Sequence, residues 1–104
     1  MPRALSSATA LVLDALDRGV RHGFDLLDAT GLPSGTVYPI LRRLEHDGFA
    51  TSRWEAARLA QQEQRPPRRY YELTREGREL VAEARARFPI FGALNAARPR
   101  PRRA

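Results

Sequence analysis

The chain has 104 residues, 42% of them hydrophobic, which is enough for one domain with a small core and too few for two domains. It has no cysteine, which excludes disulfides, thiolate zinc sites and cysteine catalysis and fits a reducing cytoplasm. The net charge of +6 favours an anionic partner, and we expect neither a signal peptide nor a membrane span because no apolar run is long enough.

The positive charge is concentrated in two segments. Residues 33–70 carry a net charge of +3 and residues 98–104 carry +4, whereas residues 1–32 sum to −1 and residues 71–97 are neutral. The excess in the middle of the chain indicates where an anionic partner would bind. The last seven residues predict a disordered basic tail, which either attracts DNA weakly at low salt or is an unstructured end with no role.

The start of the chain predicts two helices separated by glycine. The first helix runs from Ser6 to about Arg18, begins at a serine cap and ends at Gly19. The second helix spans about Phe24 to Ala29 and is expected to bury Phe24 together with its two leucines.

The segment 30–48 predicts a turn followed by a third helix with two different faces. The residues at the spacing of a buried helical face are Val37, Ile40, Leu41 and Leu44. Ser34 is the expected N-cap, and Pro39 should distort the first turn. The opposite face is small near the start of the helix and basic further on. A recognition helix in a DNA groove needs this arrangement, although an ordinary amphipathic helix with a solvated face shows it too.

After Gly48 the hydrophobic period changes from 3.6 to 2, which predicts a two-stranded hairpin. The expected strands are Phe49–Glu55 and Arg69–Leu73, joined by a long polar loop from Ala56 to Arg68. The far end of this loop is basic, so the hairpin offers a second surface for phosphate contacts.

A fourth helix follows the hairpin. Thr74 is its expected N-cap, and Pro89 should kink or break it. The predicted fold is therefore α+β, mainly α: a winged helix-turn-helix with three helices, a two-stranded wing and a C-terminal helix. We divide it into a DNA-binding domain (6–74), the C-terminal helix (75–95) and the tail (98–104). The predicted DNA-binding residues are Ser34, Gly35, Thr36, Tyr38, Pro39, Arg42, Arg43, Arg65, Arg68 and Arg69.

Several motifs, taken together, resemble the PadR family of transcriptional regulators. The matching segments are Gly23–Leu27, Gly35–Glu45, Gly48–Phe49, Arg68–Thr74 and Gly77–Arg78. The tyrosine–proline pair inside the third helix, followed by RRLE and later by RRYYELT, is the most specific part of the match. The short final helix resembles the compact branch of the family.

The resemblance implies a cytoplasmic homodimer that binds a palindromic operator in double-stranded DNA. Such a protein usually represses its own or a neighbouring operon. It also implies dimerisation through the C-terminal helix, packed on the first helix of the partner. The corresponding residues here are Leu11, Leu16, Val81, Ala84, Phe88 and Phe91. A small hydrophobic effector is compatible with the family, and Trp54 is a candidate contact for it, with packing against the core as the alternative.

The sequence disfavours two other kinds of function. A winged-helix adaptor that binds protein would show acidic or apolar residues where the third helix has arginines. An enzyme is not expected, because the sequence has no nucleophile–base pair, no recognisable pair of carboxylates and no metal-ligand spacing. No cofactor, metal or membrane partner is expected either.

Overall fold

The computed structural model describes residues 5–89. Its elements are α1 (Ser7–Asp17), α2 (Gly23–Thr30), α3 (Ser34–His46), β1 (Ala50–Trp54), α4 (Ala57–Gln62), β2 (Arg69–Leu73) and α5 (Arg75–Arg87). The two strands pair antiparallel as a hairpin wing behind three helices, as predicted. Phe91, the end of the predicted segment 75–95 and the basic tail 98–104 lie outside the described residues.

Helix α1 is the centre of the core and contacts α2, α3, α5 and β2. The largest fully buried side chains are Val12, Leu13, Leu26, Val37 and Leu41, contributed by the first three helices. Burying each of these side chains contributes about 1.5–3 kcal/mol, so the three-helix core dominates the stability of the fold. Ser6 caps α1 as expected, since its hydroxyl accepts a hydrogen bond of 3.1 Å from the Thr9 amide.

The prediction that Phe24 is buried is wrong. Helix α2 turns Leu26, Ala29 and Thr30 toward the core, and Phe24 is 76% exposed. Phe24 lies two residues before Leu26, about 200° around the helix axis, and therefore points away from the core.

Helix α3 begins one residue earlier than predicted. Ser34 is its first helical residue, and Pro33 takes the N-cap position without a side-chain hydrogen bond. The Pro33 carbonyl accepts from the amides of Thr36 (2.9 Å) and Val37 (3.1 Å), so the first turn is tightened. Pro39 lies inside the helix, where its missing N–H leaves the Gly35 carbonyl without the usual helical donor.

The wing pairs Ala50 with Leu73 at one end and Trp54 with Arg69 at the other. The predicted polar loop between the strands is not irregular throughout, because it contains α4. Its sequence, ARLAQQ, is rich in strong helix formers, and Ala60 is the residue of this helix that is buried. This short helix is not predicted from the sequence because the segment is mostly polar.

The start of α5 is tied to the wing by Thr74. Its hydroxyl accepts from the Gly77 amide (3.0 Å) and donates to the Gly48 carbonyl (2.7 Å), and its amide donates to the Phe49 carbonyl (3.0 Å). The predicted cap is thereby confirmed. Helix α5 ends at Arg87, shortly before Pro89, as expected.

The other end of α5 is held against α1. Asp14 is buried and accepts from Nε of Arg18 and Nε of Arg85, both at 2.7 Å. Arg85 also pairs with Asp17 at 3.0 Å.

The packing of α5 on α1 limits the exposed surface of several residues predicted to form the dimer interface, which itself stays a prediction. Leu16, Val81 and Ala84 are buried by the packing of α1 against α5 within one chain, so their side chains offer a partner almost no surface. Leu11 and Phe88 are only half-buried.

Candidate nucleic-acid interface

Helix α3 presents two chemically different faces, as its sequence predicts. Val37, Ile40, Leu41 and Leu44 are buried against the core and fix the orientation of the helix. The outer face of α3, formed by Ser34, Gly35, Thr36, Tyr38, Pro39, Arg42 and Arg43, consists of exposed or half-buried residues. The packing of one face therefore determines that the other faces solvent.

The first turn of α3 permits a close approach to its backbone. Gly35 is exposed, and a Cβ at this position would meet no atom within 4 Å. No side chain caps the helix. The Thr36 and Val37 amides already donate to the Pro33 carbonyl, so the Ser34 and Gly35 amides are the ones left for an anion such as a DNA phosphate.

Tyr38 lies at the edge of this face. Its ring packs against the N-terminus of α2, where Gly23 leaves the room; a methyl group at Gly23 would overlap the ring. Tyr38 is thus partly buried against α2, while the rest of its ring borders solvent.

Arg42 and Arg43 are exposed, and neither forms a hydrogen bond or ion pair with another described residue. Arg42 forms no ion pair with Glu45 within the described residues. Glu45 instead accepts from the Ser52 hydroxyl (2.5 Å) and lies 3.6 Å from Arg69. Both guanidinium groups are therefore available for phosphate.

The three predicted arginines of the wing differ in their surroundings. Arg65 donates two hydrogen bonds to the carboxylate of Glu55, at 2.6 and 2.9 Å, so its charge is neutralised. Arg69 donates to Ser52 (3.0 Å) and stacks on the Trp54 ring at 5.1 Å. Arg68 is half-buried, and within residues 5–89 its guanidinium has no ion-pair partner.

Glu55 organises the base of the wing loop. Besides Arg65, it accepts from the Tyr70 hydroxyl (3.1 Å) and the Arg68 amide (3.3 Å). The hydrogen bonds from Arg65 are the main cause that lowers the pKa of Glu55 to about 2. Glu55 is therefore ionised at neutral pH and joins both ends of the loop.

A cleft of about 380 Å³ separates the helix-turn-helix from the wing. Its walls are His22, Gly23, Phe24, Tyr38, Trp54, Tyr71 and the segment 65–69. Trp54 is 61% exposed there, which rules out packing in the core. Because aromatic side chains in amphipathic helices are usually buried, the sequence pattern places Phe24 in the core and not at the surface. The angular distance between Phe24 and Leu26 around the helix is the sequence feature that indicates its exposure.

His22 lines the cleft next to the N-terminus of α2. Its Nε2 lies 2.8 Å from Asp25, and its ring meets Tyr70 edge-on at 5.5 Å. Burial is the main cause that lowers the pKa of His22; Asp25 opposes this effect, and Arg68 and Arg65 add to it.

Across the described part of the chain, no helix is long and apolar enough to cross a membrane. Within the same residues, no group of His, Asp and Glu side chains is arranged to hold a metal ion.

Comparison with known proteins agrees with this geometry. The model of the transcriptional regulator PadR-like family matches residues 12–83. A PadR family transcription regulator from Clostridium difficile is similar in structure, with a TM-score of 0.69, 19% identity, and coverage of 86% of this chain and 94% of that one. A PadR-like transcription factor from Bacteroides fragilis is also similar in structure, with a TM-score of 0.64 and 24% identity. That match covers 82% of each chain.

A PadR family regulator from Eggerthella lenta has a TM-score of 0.59 and 27% identity, and the match covers 81% of this chain and 76% of that one. A search of curated protein sequences finds no match. The family match extends from α1 through the wing into α5, so it includes both the recognition helix and the cleft. The chain belongs to the PadR-like family of DNA-binding transcriptional regulators and is a regulator rather than an enzyme.

Proposed function

We propose that this protein is a cytoplasmic, homodimeric repressor that binds a palindromic operator in its own or a neighbouring operon. The observation that carries the proposal is the outer face of α3. It combines an uncapped, sterically open first turn with two arginines that have no ion-pair partner among the described residues.

In this proposal α3 enters the major groove with its N-terminus toward the bases. Ser34, Gly35 and Thr36 approach base edges, since short side chains allow the backbone close to the groove floor. Arg42 and Arg43 lie two turns further along and bind phosphates on either side of the groove. Tyr38 and Pro39 shape the surface between these two groups.

The dimer follows from the symmetry of the proposed operator. Two copies of α3 must be about 34–36 Å apart to read half-sites one helical turn apart. The exposed parts of Leu11 and Phe88 are the described surface available for this contact, because Leu16, Val81 and Ala84 are buried in their own chain. Phe91 is included from the sequence alone.

The dimer proposal is tested by placing a charge in the interface. Leu11→Asp should yield monomers in analytical ultracentrifugation, because a buried carboxylate without a partner is unfavourable. Arg75→Ala, at the exposed first position of α5, is the control and should remain dimeric. A Leu11→Asp variant that stays folded and dimeric would place the interface elsewhere.

The DNA-binding proposal is tested by a gel-shift titration at two salt concentrations. The probe is the DNA immediately upstream of the protein's own gene, with scrambled DNA as competitor. We expect a discrete shift that survives competition in the wild type and is lost in Tyr38→Ala and Arg42→Ala, while Arg75→Ala binds normally. A smear that competitor removes would mean that the arginines bind DNA without sequence preference.

Repression is the proposed sign of regulation, and a small hydrophobic effector is the proposed means of relieving it. A transcription assay on the upstream DNA measures the sign directly. Adding protein should lower transcript yield, and an increase would reassign the protein as an activator.

A further inference from the structure

Apart from Tyr38, the residues that line the cleft between the helix-turn-helix and the wing have no role in the contacts proposed for α3. We propose that one sugar–phosphate strand of the operator passes through this cleft, with a phosphate at Arg68 and deoxyriboses against Phe24 and Trp54. This proposal rests on the proposed function and adds two aromatic side chains to the DNA-binding surface.

The charge of the cleft suits a phosphodiester strand. Three arginines line it, and none of its described lining residues is acidic. Glu55 neutralises Arg65, and Glu45 partly offsets Arg69 at 3.6 Å. Arg68 is left as the cation without an ion-pair partner in the described residues, beside His22, whose pKa it helps to lower. An anion near Arg68 is therefore favourable, and DNA supplies one negative charge per nucleotide.

The apolar walls of the cleft need a partner with carbon surface. Phe24 is 76% exposed and Trp54 is 61% exposed, the two largest exposures among large hydrophobic residues in the described chain. Both aromatic rings stand in the same cleft, next to cations. A nucleic-acid strand alternates anionic phosphates with less polar sugars and so matches both kinds of wall. The volume, about 380 Å³, is far larger than one ion or a few waters require.

The cleft is also preformed and continuous with the recognition helix. The Arg21 carbonyl accepts from the Tyr71 amide at 2.7 Å, and His22 bridges to Tyr70, so the start of α2 is fixed to β2. Tyr38 belongs both to the cleft and to the outer face of α3. A strand bound beside α3 therefore runs directly into the cleft.

The test separates ionic from apolar contributions by measuring affinity for a labelled duplex of the upstream DNA across a salt series. Arg68→Ala should weaken binding and reduce the salt slope by about 0.9, the value for one phosphate contact. Phe24→Ala and Trp54→Ala should each weaken binding roughly fivefold to tenfold at every salt concentration and leave the slope unchanged, since they remove apolar contact.

Matched controls lie outside the cleft. Leu59→Ala removes an exposed apolar side chain of α4, and Arg75→Ala removes an exposed charge of α5; both should bind within about twofold of the wild type. Trp54→Phe keeps an aromatic ring and should restore affinity. Because Trp54 is the only tryptophan, its emission should also change when DNA is added to the wild type.

Two results would overturn the proposal, and they differ in what they imply. If the cleft takes a small aromatic anion instead of DNA, Phe24→Ala and Trp54→Ala bind the duplex normally and Trp54 emission does not respond to it. Loss of binding in Arg42→Ala would then still support the proposed function. If the wild type binds no duplex specifically, the proposed function fails and the strand proposal fails with it.

Discussion

Two helical glycines, Gly35 and Gly77, serve opposite purposes in this molecule. Gly77 lies in the first turn of α5 directly against the backbone carbonyl of Phe49, where a Cβ would collide with that oxygen. Gly35 faces open space at the start of α3. Gly77 allows α5 to pack against the backbone at Phe49, and Gly35 leaves the backbone of α3 accessible to a ligand.

This difference predicts opposite outcomes for the same substitution. Gly77→Ala should lower the free energy of unfolding by about 1–3 kcal/mol, because the Phe49 carbonyl belongs to the backbone and cannot rotate away. Gly35→Ala should be neutral or raise stability by up to about 1 kcal/mol, because alanine favours the helix. Urea unfolding of both variants checks this, and equal stability of the two would contradict it.

The pKa of Glu55 predicts an acid-sensitive wing. Its value of about 2 lies below the ordinary 4.5, so the ion pair with Arg65 stabilises the folded state fully above pH about 4.5. That contribution should be lost as pH falls from about 4.5 toward 2. Glu55→Gln should be less stable at neutral pH and should lose less stability over this acidic range. Parallel thermal melts of wild type and variant across the range measure the difference.

At the scale of elements, the wing loop is held by side chains rather than by its own helix. Helix α4 has only six residues, without a side-chain cap, and is too short to be stable alone. Glu55 holds the far side of the loop through Arg65 and the Arg68 amide. Arg65 is therefore a positioning residue of the wing in the free protein, although the sequence placed it among the DNA contacts.

Removing this anchor should open the loop without unfolding the domain. We expect Arg65→Ala to raise amide hydrogen exchange in segment 57–62 strongly while exchange in α1 and α3 remains slow. Arg58→Ala, an exposed arginine within the same helix, should leave the pattern unchanged. Unaltered protection of α4 in Arg65→Ala would show that the helix is held by other contacts.

At the scale of the whole molecule, α1 and α5 close the structure around the core. Asp14 and Arg85 are 71 residues apart in sequence, yet their side chains meet at 2.7 Å. The same packing buries Val81 and Ala84 within the chain. In the proposed dimer, any contact made through α5 would therefore be coupled to the closure of the monomer.

Loss of this link should be measurable as global stability. Asp14→Ala removes the acceptor of two arginines, both of which can be hydrated afterwards, so we expect a loss of about 1–3 kcal/mol. Glu79→Ala removes an exposed pair at 3.8 Å and should cost less than about 0.5 kcal/mol. Thermal unfolding of the two variants compares them, and an equal change in both would contradict the assignment.

Local patterns in the sequence predict the order of the elements other than α4, the buried stripe of α3, the hairpin with Arg69–Leu73 as its second strand, and the cap at Thr74. These features depend on hydrophobic period, capping residues and turn residues within a few positions of one another. They also carried the resemblance to the family.

Contacts that form only on folding determine which polar and aromatic residues remain available to a ligand. The tertiary structure pairs Arg65 with Glu55, exposes Phe24 and Trp54 in one cleft, and buries Val81 against α1. Apart from the outward direction of Phe24, these outcomes do not follow from local pattern, because they depend on contacts between segments that are distant in sequence. A charge is neutralised, and an apolar side chain is buried, only by neighbours that folding brings to it.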